Sequence, residues 1–140
     1  MKTKISIFII ISLFLTVSIY SQNQITEAEV KSSLTNLFDL SKSKSYEEAS
    51  SFLAYDGKDK TKKDKVPFNF AAKNEKKSVK RKCKKIKAYL DLSDSYEYDG
   101  FSSQGNDGTI KVNFKSGDQE LKISFDFVKV GGKVLLSSFK

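Results

Sequence analysis

The spacing of apolar residues changes once along the chain, near residue 95. Before that point they recur at helical intervals, and after it at every second position. Thr26 and Glu29 have capping-box spacing, and Ile25 and Val30 have hydrophobic-staple spacing. Val30, Leu34, Leu37 and Phe38 then fall at i, i+4, i+7 and i+8, which predicts a helix over about 27–41. A shorter helix is predicted from Ser45, with Ala49, Phe52 and Leu53 as its apolar side and Asp56-Gly57 as its stop. Residues 58–66 read as a lysine-rich loop. Val66-Pro67-Phe68-Asn69-Phe70 reads as extended, because the residue before proline avoids the helical region.

A third helix is predicted over about 75–91. Val79, Cys83, Ile86 and Leu90 fall at i, i+4, i+7 and i+11, within a stripe of about 60°. That stripe is narrower than the face of an ordinary surface helix. Most of the remaining positions are Lys or Arg, so the helix should bury one seam and leave the rest in water.

From Tyr96 the pattern alternates. Tyr96 and Tyr98 begin a strand ending near Phe101, and Gly105-Asn106-Asp107-Gly108 is a turn. Ile110, Val112 and Phe114 alternate with polar residues, and so do Leu121, Ile123, Phe125 and Phe127, with a turn at Ser116-Gly117-Asp118 between them. Gly131-Gly132 suits a tight hairpin, and Val134-Leu135-Leu136 opens the last strand. The expected fold class is α+β, with N-terminal helices packed on a curved antiparallel sheet that is apolar on one face.

The first 21 residues stand outside this plan. Lys2 and Lys4 precede an apolar run from Ile5 to Val17, and Ser21 precedes the polar Gln22-Asn23-Gln24. A charged start, an apolar core and a small residue before a polar stretch predict a secretory signal peptide, 1–21, cut before Gln22. The run is shorter than the ~20 residues that span a bilayer. The single cysteine, Cys83, lies far away, so the exported protein is not expected to be a lipoprotein. Residues 22–140 are expected to form one domain, in the periplasm or outside the cell, with no second apolar run long enough to span a membrane. One cysteine makes no internal disulfide, so stability must come from the core.

Charge adds a second feature. The formal net charge is +8, but it is concentrated: residues 58–87 hold 14 Lys and Arg against Asp59, Asp64 and Glu75. Lys76, Lys77, Lys80, Arg81, Lys84 and Lys85 form a candidate anion-binding surface on the third helix. Such a surface attracts phosphate polymers, anionic lipid or acidic glycans. Export argues against nucleic acid as its target, and the plain alternative is a solvated face that keeps the domain soluble.

The helix pair ending in Tyr46-Glu47-Glu48-Ala49 and Phe52-Leu53-Ala54-Tyr55-Asp56-Gly57 resembles the opening of NTF2-like (cystatin-like, cone-shaped α+β) domains. So does the closing sheet, Ile110 to Gly117, Leu121 to Phe127 and Gly132 to Leu136. The signal followed by Gln22, with Cys83-x-x-Ile86-x-x-Tyr89-Leu90, resembles small exported proteins of Bacteroidetes-type bacteria. The superfamily contains isomerases, dehydratases, transport factors and binding modules, so the resemblance implies a fold and a pocket rather than one activity. It also implies that homodimers are compatible with the fold, although nothing in the sequence marks an interface.

Chemistry is read mainly by exclusion. The chain has no histidine, which removes Ser-His-Asp and Cys-His schemes and the commonest metal ligand. Zinc would need several Cys or His. Gly105-Asn106-Asp107-Gly108 lacks the phosphate-loop pattern and the EF-hand spacing. Lysines flank Cys83 and would activate a thiol, but its place on the apolar stripe predicts a buried small hydrophobe. No cofactor and no metal site are expected. The resemblance implies that an enzyme of this type would use a pocket acid with a tyrosine. The candidates are Asp56, Asp91, Asp94, Glu97, Asp99 and Asp126, with Tyr55, Tyr89, Tyr96 and Tyr98, and no pair has motif spacing.

Three functions stand as expectations. The first is an exported, non-catalytic domain binding a protein partner or a small apolar ligand; Phe114, Phe125 and Phe127 are the candidate pocket lining, and a filled core is the other, favoured, reading of the same inward rings. The second is an electrostatic binder of envelope polymers or lipid through residues 76–87. The third is a small isomerase- or hydrolase-like enzyme.

Overall fold

The computed structural model describes residues 24–140. The expected signal peptide, 1–21, lies outside the described residues. Three helices, α1 (Glu27–Lys42), α2 (Tyr46–Ser50) and α3 (Lys73–Asp91), precede four strands, β1 (Ser95–Gln104), β2 (Asp107–Ser116), β3 (Gln119–Val130) and β4 (Lys133–Phe139). The strands form one antiparallel sheet in the order β1-β2-β3-β4. The class is therefore α+β. No described helix is long and apolar enough to cross a membrane.

α1 begins as its sequence dictates. Thr26 is the N-cap, its hydroxyl accepts the Glu29 N–H, and the Glu29 carboxylate accepts the Thr26 N–H at 3.0 Å. Val30, Leu34, Leu37 and Phe38 face the sheet from α1, and Val79, Cys83 and Ile86 do so from α3. They meet Ile110, Val112, Phe114, Ile123, Phe125, Phe127 and Leu136 in a single core. Burying each large side chain contributes about 1.5–3 kcal/mol against chain entropy. The other face of the sheet is polar and laced with pairs such as Lys115–Glu97 at 2.7 Å and Lys122–Asp99 at 2.9 Å.

The second helix stops earlier than expected, at Ser50 rather than at Asp56-Gly57. Competition from the sheet explains the difference. Leu53 pairs in parallel with Leu136, the Leu136 N–H donates to the Phe52 carbonyl at 2.8 Å, and the Ala54 N–H donates to the Leu136 carbonyl at 2.9 Å. Ala54 in turn bridges Pro67. Residues 52–54 thus cover the outer edge of β4 instead of extending α2.

β1 runs on to Gln104, three residues past the expected end at Phe101. Tyr98 sits opposite Val112 and Phe101 opposite Ile110, so β1 carries one residue more than β2 over this interval. The bulge contains Gly100, at φ 134°, a conformation side-chain-bearing residues rarely adopt. It returns Phe101 to the same face as Tyr98 despite their odd spacing.

Candidate functional site

α3 is built from strong helix formers, and its end is held by side chains rather than by glycine. The Ser93 hydroxyl donates to the Tyr89 carbonyl at 2.7 Å, which satisfies one of the terminal acceptors. The Asp94 N–H donates to the Lys115 carbonyl at 2.8 Å, and the Asp94 carboxylate accepts the Gly117 N–H at 3.0 Å. The C-terminal end of α3 is therefore tied to the β2–β3 turn.

The structure places all six predicted cations on this one helix and sorts them into two groups. Lys77, Arg81 and Lys84 are exposed and project opposite the buried Val79, Cys83 and Ile86. Lys76, Lys80 and Lys85 lie over aromatic rings: Lys76 over Phe70 at 5.0 Å, Lys80 over Tyr46 at 5.9 Å, and Lys85 over Phe139 at 5.1 Å. Rings orient an ammonium group without cancelling its charge. Lys82 and Lys87, on the same helix, are neutralised by Asp56 and Asp91. None of the six predicted cations forms an ion pair with any described residue.

Two clefts beside α3 each hold two of the six cations, Lys76 with Lys80 and Arg81 with Lys85. The second, a space of about 330 Å³, is lined by Asp56, Arg81, Lys82, Lys85, Ser137, Ser138 and Phe139. Asp56 is taken by Lys82 at 2.6 Å. The Ser137 and Ser138 hydroxyls donate to Asp126, leaving Arg81 and Lys85 to donate outward. The cleft suits a small anionic group on a larger molecule.

The three candidate pocket rings lie under the helices, apart from this cleft. Phe114, Phe125 and Phe127 are 3%, 0% and 1% exposed and belong to the packed core. Phe125 stacks on Phe139 with centroids 5.5 Å apart and meets Phe38 edge-on at 5.7 Å. The sheet face they occupy is filled by α1 and α3. Phe114 alone among them borders a cleft, of about 310 Å³, shared with Tyr89, Leu92 and Leu121 at the end of the sheet. A separate groove of about 550 Å³ runs between α1 and the β3–β4 turn, lined by Ser32, Ser33, Asn36, Phe52 and Val134 among others. Its acid, Glu29, is committed to Lys129 at 2.8 Å.

The candidate acids are spread over the surface in structural roles. Asp56 and Asp91 hold Lys82 and Lys87, and Asp94 holds the β2–β3 turn. Glu97 and Asp99 pair with Lys115 and Lys122, whose hydrogen bonds hold both carboxyls below the usual carboxylate range. Asp126 accepts from Thr109 at 2.8 Å and Ser138 at 2.7 Å. Two of the tyrosines are hydrogen-bonded: Tyr98 shares a 3.0 Å hydrogen bond with Thr35, and the Tyr55 hydroxyl accepts the Asp59 N–H at 3.4 Å. None of the clefts above is lined by both an acid and a tyrosine of this set.

Cys83 is fully buried on the inner stripe of α3, and desolvation pushes its thiol up from the ordinary value. Among the described residues no group of three or more His, Cys, Asp or Glu side chains is placed to hold a metal ion. Composition alone could not foretell the ring-backed lysines, because Phe70, Tyr46 and Phe139 reach α3 from three different parts of the chain. Comparison with known proteins finds no family model that matches the chain and no curated protein that matches it.

Proposed function

We propose that residues 22–140 form an exported, non-catalytic binding domain of the NTF2-like (cystatin-like α+β) type. Its binding surface is the outer side of α3, and its target is an anionic polymer or lipid of the cell envelope. The observation that carries this reading is the charge state of α3. Seven cations of α3, Lys73 and the six predicted ones, stand without carboxylate partners among the described residues, while its Lys82 and Lys87 are paired. Three of them are held over rings, and ammonium groups already oriented lose less freedom when an anion binds. The filled sheet face directs the proposal to the outside of the helix layer rather than to a ligand inside it.

The test is retention on immobilised heparin at rising salt, as a stand-in for an acidic envelope polymer. The wild-type domain should bind at low salt and elute well before about 1 M, because interactions between exposed charges are screened. A Lys77→Glu, Arg81→Glu, Lys84→Glu variant should flow through. Wild-type protein that ignores both the column and anionic vesicles at low salt would overturn the proposal. Export is tested separately, by mass spectrometry of protein recovered outside the cytoplasm, with Gln22 as the expected first residue.

A further inference from the structure

The basic surface of α3 ends in an apolar side chain. Leu92, the C-cap residue, is 76% exposed, against 47% for Leu121 and 38% for Tyr96. Its backbone is helical, at φ −86° and ψ −3°, so it continues the geometry of α3. Arg81, Lys85, Ala88 and Leu92 are then spaced at i, i+4, i+7 and i+11 and share one stripe on the outside of the helix. Lys77 and Lys84 flank that stripe. Leu92 and Leu121 line the same cleft of about 310 Å³, together with Tyr89 and Phe114. Glu120 is the acid lining that cleft, and its carboxylate lies 3.9 Å from the Lys115 ammonium.

A soluble polyanion needs only the cations. A large aliphatic side chain held in water at the end of a cationic stripe has a different use at a bilayer. There it leaves water for the acyl boundary while Lys and Arg meet anionic headgroups. We propose that α3 docks along the surface of an anionic phospholipid bilayer. Lys77, Arg81, Lys84 and Lys85 contact headgroups, and Leu92, with Leu121 beside it, enters the interface. This rests on the anionic-surface reading above and narrows it from polymer or lipid to lipid.

The test uses the 22–140 chain, which contains every described element and the whole described core. Binding is measured by co-sedimentation with vesicles of phosphatidylcholine alone and with about 30% phosphatidylglycerol added, an anionic surface of the kind that attracts basic segments. Binding should require the anionic lipid. Leu92→Ser should weaken it about tenfold, the effect of withholding one leucine from an apolar phase, without changing heparin retention. Leu92→Phe should preserve binding. Arg81→Gln with Lys85→Gln should weaken both vesicle and heparin binding, by about fivefold per charge on vesicles. Circular dichroism confirms that each variant is folded. Heparin retention without vesicle binding would overturn the lipid assignment and leave the broader proposal standing. Loss of both in the wild type would overturn both, and a Leu92→Ser variant that binds vesicles as tightly as wild type would overturn insertion.

Discussion

Glu29 and Lys129 are separated by 100 residues in the chain and joined by a 2.8 Å hydrogen-bonded ion pair in the fold. The same carboxylate closes the capping box of α1 on Thr26, so one side chain both starts the helix and fixes it to β3. The Lys129 bond is the main cause that holds the Glu29 pKa below its ordinary 4.5. A carboxyl lowered on folding stabilises the fold fully above its unfolded pKa, and that contribution disappears as pH falls through the folded value. Glu29→Ala should therefore destabilise the domain by about 1 kcal/mol at pH 7, the combined scale of a cap and a partly exposed pair. Urea titrations at pH 7 and pH 3 check this. The gap between variant and wild type should narrow at pH 3, and an equal gap at both values would rule out the ionic part.

Cys83 should behave as a packing residue. In the folded protein at pH 8 a thiol reagent should modify it no faster than the protein opens, and at once in denaturant. Cys83→Ser, which replaces a buried thiol with a smaller, more strongly solvated hydroxyl beside the Ser41 side chain, should cost about 1–3 kcal/mol. Immediate labelling of the native protein would contradict the burial.

Phe125→Ala should cost about 3–5 kcal/mol, because the ring is enclosed by Phe38, Phe114 and Phe139 and its loss leaves a cavity. Lys111→Ala, at an exposed β2 position on the opposite face, should change stability by no more than about 0.5 kcal/mol. Chemical denaturation of the two variants side by side tests which sheet face carries the core.

Gly100→Val should destabilise by about 1–3 kcal/mol, although no atom lies within 4 Å of where the new Cβ would stand. The cost is backbone conformation alone, at φ 134°. A neutral result in thermal melts would mean that the bulge relaxes into a geometry open to other residues.

The elements that were legible in the sequence are those whose signals are local. The capping box at Thr26, the 3.6-residue stripe of Val79, Cys83 and Ile86, and the alternation of β2 and β3 each specify an element by themselves, and α1 and α3 end within a residue or two of expectation. The misplaced boundaries depend on distant partners. Phe52 and Leu53 have the spacing of an apolar helix side, but their backbone is claimed by Leu136. Ser102, Ser103 and Gln104 carry no apolar alternation because an edge strand can be exposed on both faces, and only pairing with β2 shows them as strand. For the candidate site, the cations were readable as a charge run, but the rings beneath them and Leu92 at the end of their stripe were not. Alternation assigned Phe114, Phe125 and Phe127 to the inner face correctly.

The short pairing of residues 52–54 with β4 also bears on how these molecules can join one another. The Leu136 N–H and carbonyl are bonded to that segment, and the Val134 carbonyl accepts the Ser33 hydroxyl at 2.9 Å. Among the described residues, one side of the sheet therefore has its central main-chain groups engaged, and the β1 side carries no further strand. The two margins of the sheet are unequal: the β4 margin is already clothed by the chain's own backbone, and a strand arriving from another molecule would meet its vacant main-chain partners along β1.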